Sequence, residues 1–343
     1  MGIRKWIYTA PLLIGLAALM PEFLRNRQSG AFGAETAAAS KENAISTEDE
    51  DIPRFVIRSD VNMVSVPVTV RKADGSFFKG LTQKSFRVLE DGKEQEIVLF
   101  AEEGLPTHIA IVLDVSGSVQ PEWGIIKYAT KRFLENLRPD DDFSLTTFND
   151  EVRVKVGWGR NTGAVDAKLS EIYCKDNTKL WDAIHLVSTG VFKGLDGKKV
   201  MIIMSDGMDN QSYYSYADAV RAAVENNISI YIVNEAEALR QTLEYRYPDL
   251  PSRILSYFAQ ADSILRRLAY DTGGRVLRPN SFGQLDDIYA DVVDELRNQY
   301  TLGYISTNTA KDGTYRAISV RVSNQDARNV TITARPGYYA PRK

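Results

Sequence analysis

One cysteine, Cys174, and two histidines, His108 and His185, are all that 343 residues carry of either type. A lone thiol excludes an internal disulfide, and Cys174 reads as a small buried hydrophobe. With two histidines and no Gly-x-Ser-x-Gly elbow, there is little from which to build a nucleophile and its base. Both histidines are expected to be structural, and no catalytic activity is expected. An excess of one charge is also missing. Lys and Arg number 42 against 45 Asp and Glu, a net charge of -3, so the chain as a whole carries no electrostatic footprint for nucleic acid. Its longest apolar run, residues 6–20, is interrupted by Pro11 and falls short of the about 20 residues that a membrane span needs.

That run follows Arg4 and Lys5, so residues 1–33 read as a signal peptide, with an anchor extending through Leu24 as the alternative. The folded part is therefore expected to be exported: periplasmic, at the cell surface or secreted. Membrane attachment is expected only through such an anchor. Residues 34–53, an Ala run followed by Glu48-Asp49-Glu50-Asp51, cannot bury apolar surface and read as a flexible linker. The termini are basic, residues 1–28 at +3 and 301–343 at +5, which leaves -11 on the stretch between. That acidic middle suits a cation.

Three blocks follow, distinguished by the period of their apolar residues. Residues 54–102 are a β segment: Val64, Val66, Val68 and Val70 alternate, and Asp74-Gly75 and Asp91-Gly92 are hairpin turn signals. Across 104–298, apolar runs at 109–113, 200–204 and 228–233 read as strands buried on both faces, with a further strand at 275–277. Stretches with helical spacing at 123–137, 180–192 and 216–225 lie between them. The fold class is therefore α/β, a doubly wound mostly parallel sheet. Residues 300–343 return to alternation, with Asp312-Gly313 as a further hairpin turn. Neither β segment alone buries enough surface to be stable, so the two are expected to share a small β-sandwich that flanks or hosts the α/β part. The link at 235–262, with Tyr245, Tyr247, Tyr257, Phe258, Pro248 and Pro251, is either extra packing or a partner-specific surface.

The chemistry is expected where strands end. The first buried strand delivers Asp114, Ser116 and Ser118, and the 200–204 strand delivers Asp206-Gly207. Alternate residues leaving a strand point the same way, so both serine hydroxyls can face one ion. Hard oxygen donors suit Mg²⁺ or Mn²⁺ rather than zinc. The plain alternative is that these residues only cap strand-to-helix turns. An aspartyl phosphatase would want a carboxylate where Ser116 stands. Asp209 could be an auxiliary ligand or a loop cap.

Asp114-x-Ser116-x-Ser118, Thr178 and Asp206-Gly207, in that order, resemble the metal-ion-dependent adhesion site of von Willebrand factor type A domains. The 80–92, 295–304 and 334–338 segments resemble those of exported, acidobacterial-type proteins related to these domains. Where the family often has Gly-Gly before the Thr, Asp176-Asn177 stands here, and Asn177 is expected to supply a positive-φ turn. The resemblance implies a binding module whose Ser116, Ser118 and Thr178 coordinate the ion. Asp114 and Asp206 would act largely through waters, leaving one position for an Asp or Glu of a partner protein. Tyr213 and Tyr214, close after Asp206, are expected to line that partner site. The alternative function is a structural envelope component whose β segments bind anionic polymer or a membrane surface.

Overall fold

The computed structural model describes residues 63–102, 105–175, 177–234, 252–322 and 329–342, together with residues 236, 240 and 244. The leader, the linker, residues 54–62 and Tyr245, Tyr247, Pro248 and Pro251 lie outside the described residues.

The described chain begins with β1, Met63–Arg71, whose Val64, Val66, Val68 and Val70 are all buried on one face. Strands β2, Phe86–Glu90, and β3, Lys93–Gln95, follow. They are joined through Asp91 and Gly92, both at positive φ (47° and 81°), the conformation of a tight hairpin turn. Strand β4 is Ile97–Ala101.

The α/β part then runs β5 (Thr107–Asp114), α1 (Trp123–Glu135), β6 (Asp142–Phe148), β7 (Val152–Gly159), α2 (Gly163–Ser170) and α3 (Leu180–Leu186). It continues β8 (Lys198–Ser205), α4 (Tyr216–Glu225), β9 (Ile228–Asn234), α5 (Ser252–Thr272), β10 (Val276–Leu277) and α6 (Leu285–Arg297). Its six strands lie in the order β10-β9-β8-β5-β6-β7, and all pair in parallel except β7. Both faces are covered, so the strands are apolar at successive positions. Ile109, Ile111 and Leu113 pack with Ile126, Phe133 and Val292 in one layer; Ala110 and Val112 pack with Leu180, Ile184 and Leu268 in the other.

The helix expected over 180–192 stops at Leu186 and widens into a π-turn over Val187–Val191. Thr189 bonds back to the His185 carbonyl (2.8 Å) and Gly190 follows, and both weaken a regular ladder. In the 235–262 link, Phe258 is buried, whereas Tyr257 is half exposed.

Strands β11 (Tyr300–Ile305), β12 (Tyr315–Val322), β13 (Thr331–Ala334) and β14 (Gly337–Tyr339) complete two antiparallel sheets, β13-β1-β11-β4 and β14-β12-β2-β3. Each sheet draws strands from both ends of the described chain. Val66, Val68, Val88, Leu302, Tyr304 and Ile318 form one core between them. Asp312-Gly313 is not the turn of a paired hairpin, because β11 and β12 belong to different sheets. The link between them instead wraps the buried Arg316, whose guanidinium donates to the Ser306 hydroxyl and to the Asn308 and Ala310 carbonyls.

The sandwich meets the α/β part at a buried carboxylate. Glu295 of α6 accepts from Thr69 Oγ1 (3.2 Å) and Arg71 Nη2 (2.9 Å) of β1, from the Tyr231 hydroxyl (3.1 Å) of β9 and from Arg275 Nε (2.5 Å). Close by, Lys198 at the start of β8 is buried and donates to the Leu296 carbonyl (3.0 Å) near the end of α6. Burial pulls its ammonium down to about 7, and Arg138 adds to the fall. The folded state therefore binds fewer protons than the unfolded chain between pH 7 and the ordinary lysine range. Stability from this group should rise with pH across that window, by at most about 1.4 kcal/mol per unit. Lys198→Met should gain most over wild type below pH 7 and lose that advantage by pH 10. Urea unfolding at several pH values reads the difference, and a pH-independent gap would refute the assignment.

Candidate metal centre

β5 enters the sheet first; the chain then places β6 on one side of it and β8 on the other, so the strand order reverses beside β5. Such a reversal opens a crevice at the carboxyl ends of the strands. Asp114 ends β5 there, and Asp206 follows directly after β8.

Asp114 is only 1% exposed. Its Oδ1 accepts from the Ser116 N–H (2.9 Å) and its Oδ2 from the Ser205 hydroxyl (3.1 Å). The Ser116 and Ser118 hydroxyl oxygens lie 3.1 Å apart. Asp206 is also buried, and its Oδ1 accepts from the Met208 N–H (2.9 Å). Gly207 turns the chain at a φ of +81°, where a Cβ would stand 2.8 Å from Leu265 Cδ1, so only glycine fits. Ser205 was not singled out from sequence. It holds both strand ends, donating to Asp114 and accepting from the Gly207 N–H (3.1 Å).

Thr178 is buried and clamped by Asn210. The Thr178 N–H donates to Asn210 Oδ1 (2.9 Å), and the Asn210 N–H returns to the Thr178 carbonyl (3.1 Å). Of the Asp176-Asn177 turn, Asp176 lies outside the described residues; the Asn177 N–H donates to Asp150 Oδ1 (3.1 Å). Asp209 is a cap. It accepts from the Leu180 N–H (2.8 Å) at the start of α3 and from the Ser212 hydroxyl (2.5 Å).

Tyr213 and Tyr214 are set by Asp182, whose Oδ1 accepts both of their N–H groups (2.8 and 2.9 Å). Tyr213 is 89% exposed. Tyr214 stacks on His185 with ring centroids 3.6 Å apart, and Tyr213 meets Tyr214 edge-on at 5.4 Å. Tyr216 instead packs edge-on against Trp181. His108 lies at the other end of β5, between Asp142 Oδ1 (2.6 Å) and the Asp196 carbonyl (2.9 Å).

Burial pushes the Asp114 carboxyl up, and the charge of Asp206 adds to the rise; burial likewise raises Asp206. Among the described residues no basic side chain forms an ion pair with either. Two buried carboxylates without a counter-ion favour a bound cation. Among the described residues there is also no cluster of three or more His, Cys, Asp or Glu side chains that could hold a metal. A cation at these strand ends would therefore rely on hydroxyl oxygens, a donor set that fits a hard divalent ion.

A family model for the von Willebrand factor type A domain matches residues 108–291. Inter-alpha-trypsin inhibitor heavy chain H2 of Mus musculus is 27% identical over 208 residues, covering 49% of this chain and 21% of that protein. The chain thus spans about a fifth of that relative's length. Among solved structures, proximal thread matrix protein 1 from the mussel byssus is similar with a TM-score of 0.45 and 17% identity, over 61% of this chain and 51% of that one. A structure of the same mussel protein with a zinc-occupied MIDAS motif is similar with a TM-score of 0.44 and 17% identity, over 60% and 49%.

Proposed function

The chain belongs to the von Willebrand factor type A domain family, and from that premise we propose that it is an exported, divalent-metal-dependent protein-binding module. Its site is Asp114, Ser116, Ser118, Thr178 and Asp206, and its partner presents an Asp or Glu side chain. The observation that carries this reading is the pair of buried, uncompensated carboxylates beside two hydroxyls 3.1 Å apart at the strand ends. Mg²⁺ or Mn²⁺ bound there would supply an electrophilic centre that attracts a carboxylate oxygen. Ser116, Ser118 and Thr178 provide neutral donors, so few anions quench that centre. Ser205 and Asn210 tether the loops through their hydrogen bonds to Asp114 and Thr178. The proposed setting is the periplasm, the cell surface or the outside of the cell. Among the described residues no helix is long and apolar enough to cross a membrane.

Tyr213 and Tyr214 are proposed to choose among acidic partners, since a tyrosine brings large contact area at low entropy cost. The test is a crosslinked pull-down from the native envelope with and without chelator, repeated with the Tyr213→Ala, Tyr214→Ala double variant. Capture should require the metal, and the double variant should weaken it by about 1–3 kcal/mol with unchanged Mg²⁺ affinity. Capture that survives chelation would reject the metal-dependent reading. Equal loss of metal and partner binding would mean that the tyrosines support the loop.

A further inference from the structure

The two most exposed large apolar side chains among the described residues are Tyr213, at 89%, and Tyr173, at 84%. Each lies in a segment next to a candidate ligand in sequence, Tyr173 before Thr178 and Tyr213 after Asp206. Tyr173 lies in the loop that leads to Thr178. Its neighbours Ile172 and Cys174 are buried in the layer that covers one face of the sheet, so the alternation forces Tyr173 outward. Two residues later the Lys175 N–H donates to the Val115 carbonyl (3.0 Å), which ties this loop to the Asp114–Ser118 turn. Tyr213 comes from the other face: it is held by Asp182 of α3, whose Leu180, Trp181 and Ile184 belong to the opposite layer. The strand ends that carry Asp114 and Asp206 lie between the two layers.

Both tyrosines are thus exposed by a fixed backbone, and ordering them for a partner costs little. Charge points the same way. Lys179, half-buried, follows Thr178 directly, and a bound divalent ion would add to its potential.

Resting on the metal-dependent reading above, we propose that Tyr173 and Tyr213 are two walls of the partner site. The partner is an acidic polypeptide segment whose metal-seeking Asp or Glu is flanked on both sides by apolar residues. One flank packs on each tyrosine.

The test uses the full chain on an array of peptides Ac-Gly-X-Asp-Z-Gly, with X and Z each Ser, Leu or Phe. Matched Asn peptides, polyglutamate and dextran sulfate serve as comparisons, in Mg²⁺ or with chelator. Peptides with Leu or Phe at both flanks should be captured at least tenfold better than Ser-flanked ones, only with Mg²⁺ and only with Asp. Tyr173→Ala should erase the preference at one flank and Tyr213→Ala at the other, each keeping Mn²⁺ affinity within twofold by calorimetry. Metal-dependent capture of Asp peptides without a flank preference, or a preference that both variants keep, overturns the tyrosine walls and spares the metal site. Stronger capture of polyglutamate or dextran sulfate, indifferent to both tyrosines, overturns the proposal in favour of a plain anionic-polymer surface. Failure of the wild type to bind Mn²⁺ overturns both readings.

Discussion

Asp114→Ala is expected to lower Mg²⁺ and Mn²⁺ affinity by more than about 100-fold, beyond the 10- to 100-fold typical of losing an outer partner of a metal site. Asp114 supplies one of only two carboxylates in the proposed set, and the remaining donors are hydroxyls. Its removal also leaves the Ser205 hydroxyl and the Ser116 N–H without their acceptor, so the loop that aims Ser116 and Ser118 loosens. In the metal-free chain two effects oppose one another. Those hydrogen bonds are lost, but the burial of Asp114 and its repulsion with Asp206, which together raise its protonation, are relieved. The melting temperature without metal should therefore move little. What should vanish is the stabilisation that the wild type gains from metal, about 2.7 kcal/mol at a hundredfold excess over Kd. Calorimetry and thermal unfolding with and without Mg²⁺ read both quantities. An unchanged Mg²⁺ affinity in the variant would sink the assignment.

Glu295→Ala should be a strongly damaging change to the fold, at about 2–3 kcal/mol, because it removes charge-assisted hydrogen bonds and leaves a buried hydroxyl without its acceptor. Its carboxylate is 1% exposed and takes donors from β1, β9 and the segment before β10. Losing it takes the acceptor from the buried Tyr231 hydroxyl and from Thr69, and leaves Arg71 and Arg275 with Asp291 as their carboxylate at the seam between the sandwich and the α/β sheet. Asp291 shares both arginines but is 41% exposed, so Asp291→Ala should cost no more than about 1 kcal/mol. Urea unfolding of the two variants separates the cases. Similar small shifts in both would mean that the seam is held by apolar packing alone.

The α/β class was legible because strands buried on both faces must be apolar throughout, as 109–113, 200–204 and 228–233 are. The β blocks showed through the Val64–Val70 alternation. Strand β6 was hidden for a physical reason: Ser144, Thr146 and Thr147 are buried hydroxyls in its sequence, and they read as polar breaks. Strand β7, at the sheet edge, carries Arg153, Lys155 and two glycines and lacks a buried strand's pattern. At the site, the strand-end residues could be named from spacing alone. The tethers could not. Ser205 to Asp114, Asn210 to Thr178 and Asp182 to Tyr213 join residues about 30 or more positions apart, a proximity that only the folded chain creates. Tyr173, an isolated tyrosine in a loop, carries no periodic signal in the sequence; its exposure follows from the buried neighbours Ile172 and Cys174.

A hard divalent cation held at the ends of β5 and β8 would be read out by titrating Mn²⁺ into the full chain and following free Mn²⁺ by electron paramagnetic resonance. One saturable Mn²⁺ per chain is expected, displaced by Mg²⁺ and only poorly by Ca²⁺, which fits a small octahedral site badly. Absence of saturable binding at millimolar Mn²⁺, or a site that Asp114→Ala leaves intact, would contradict it.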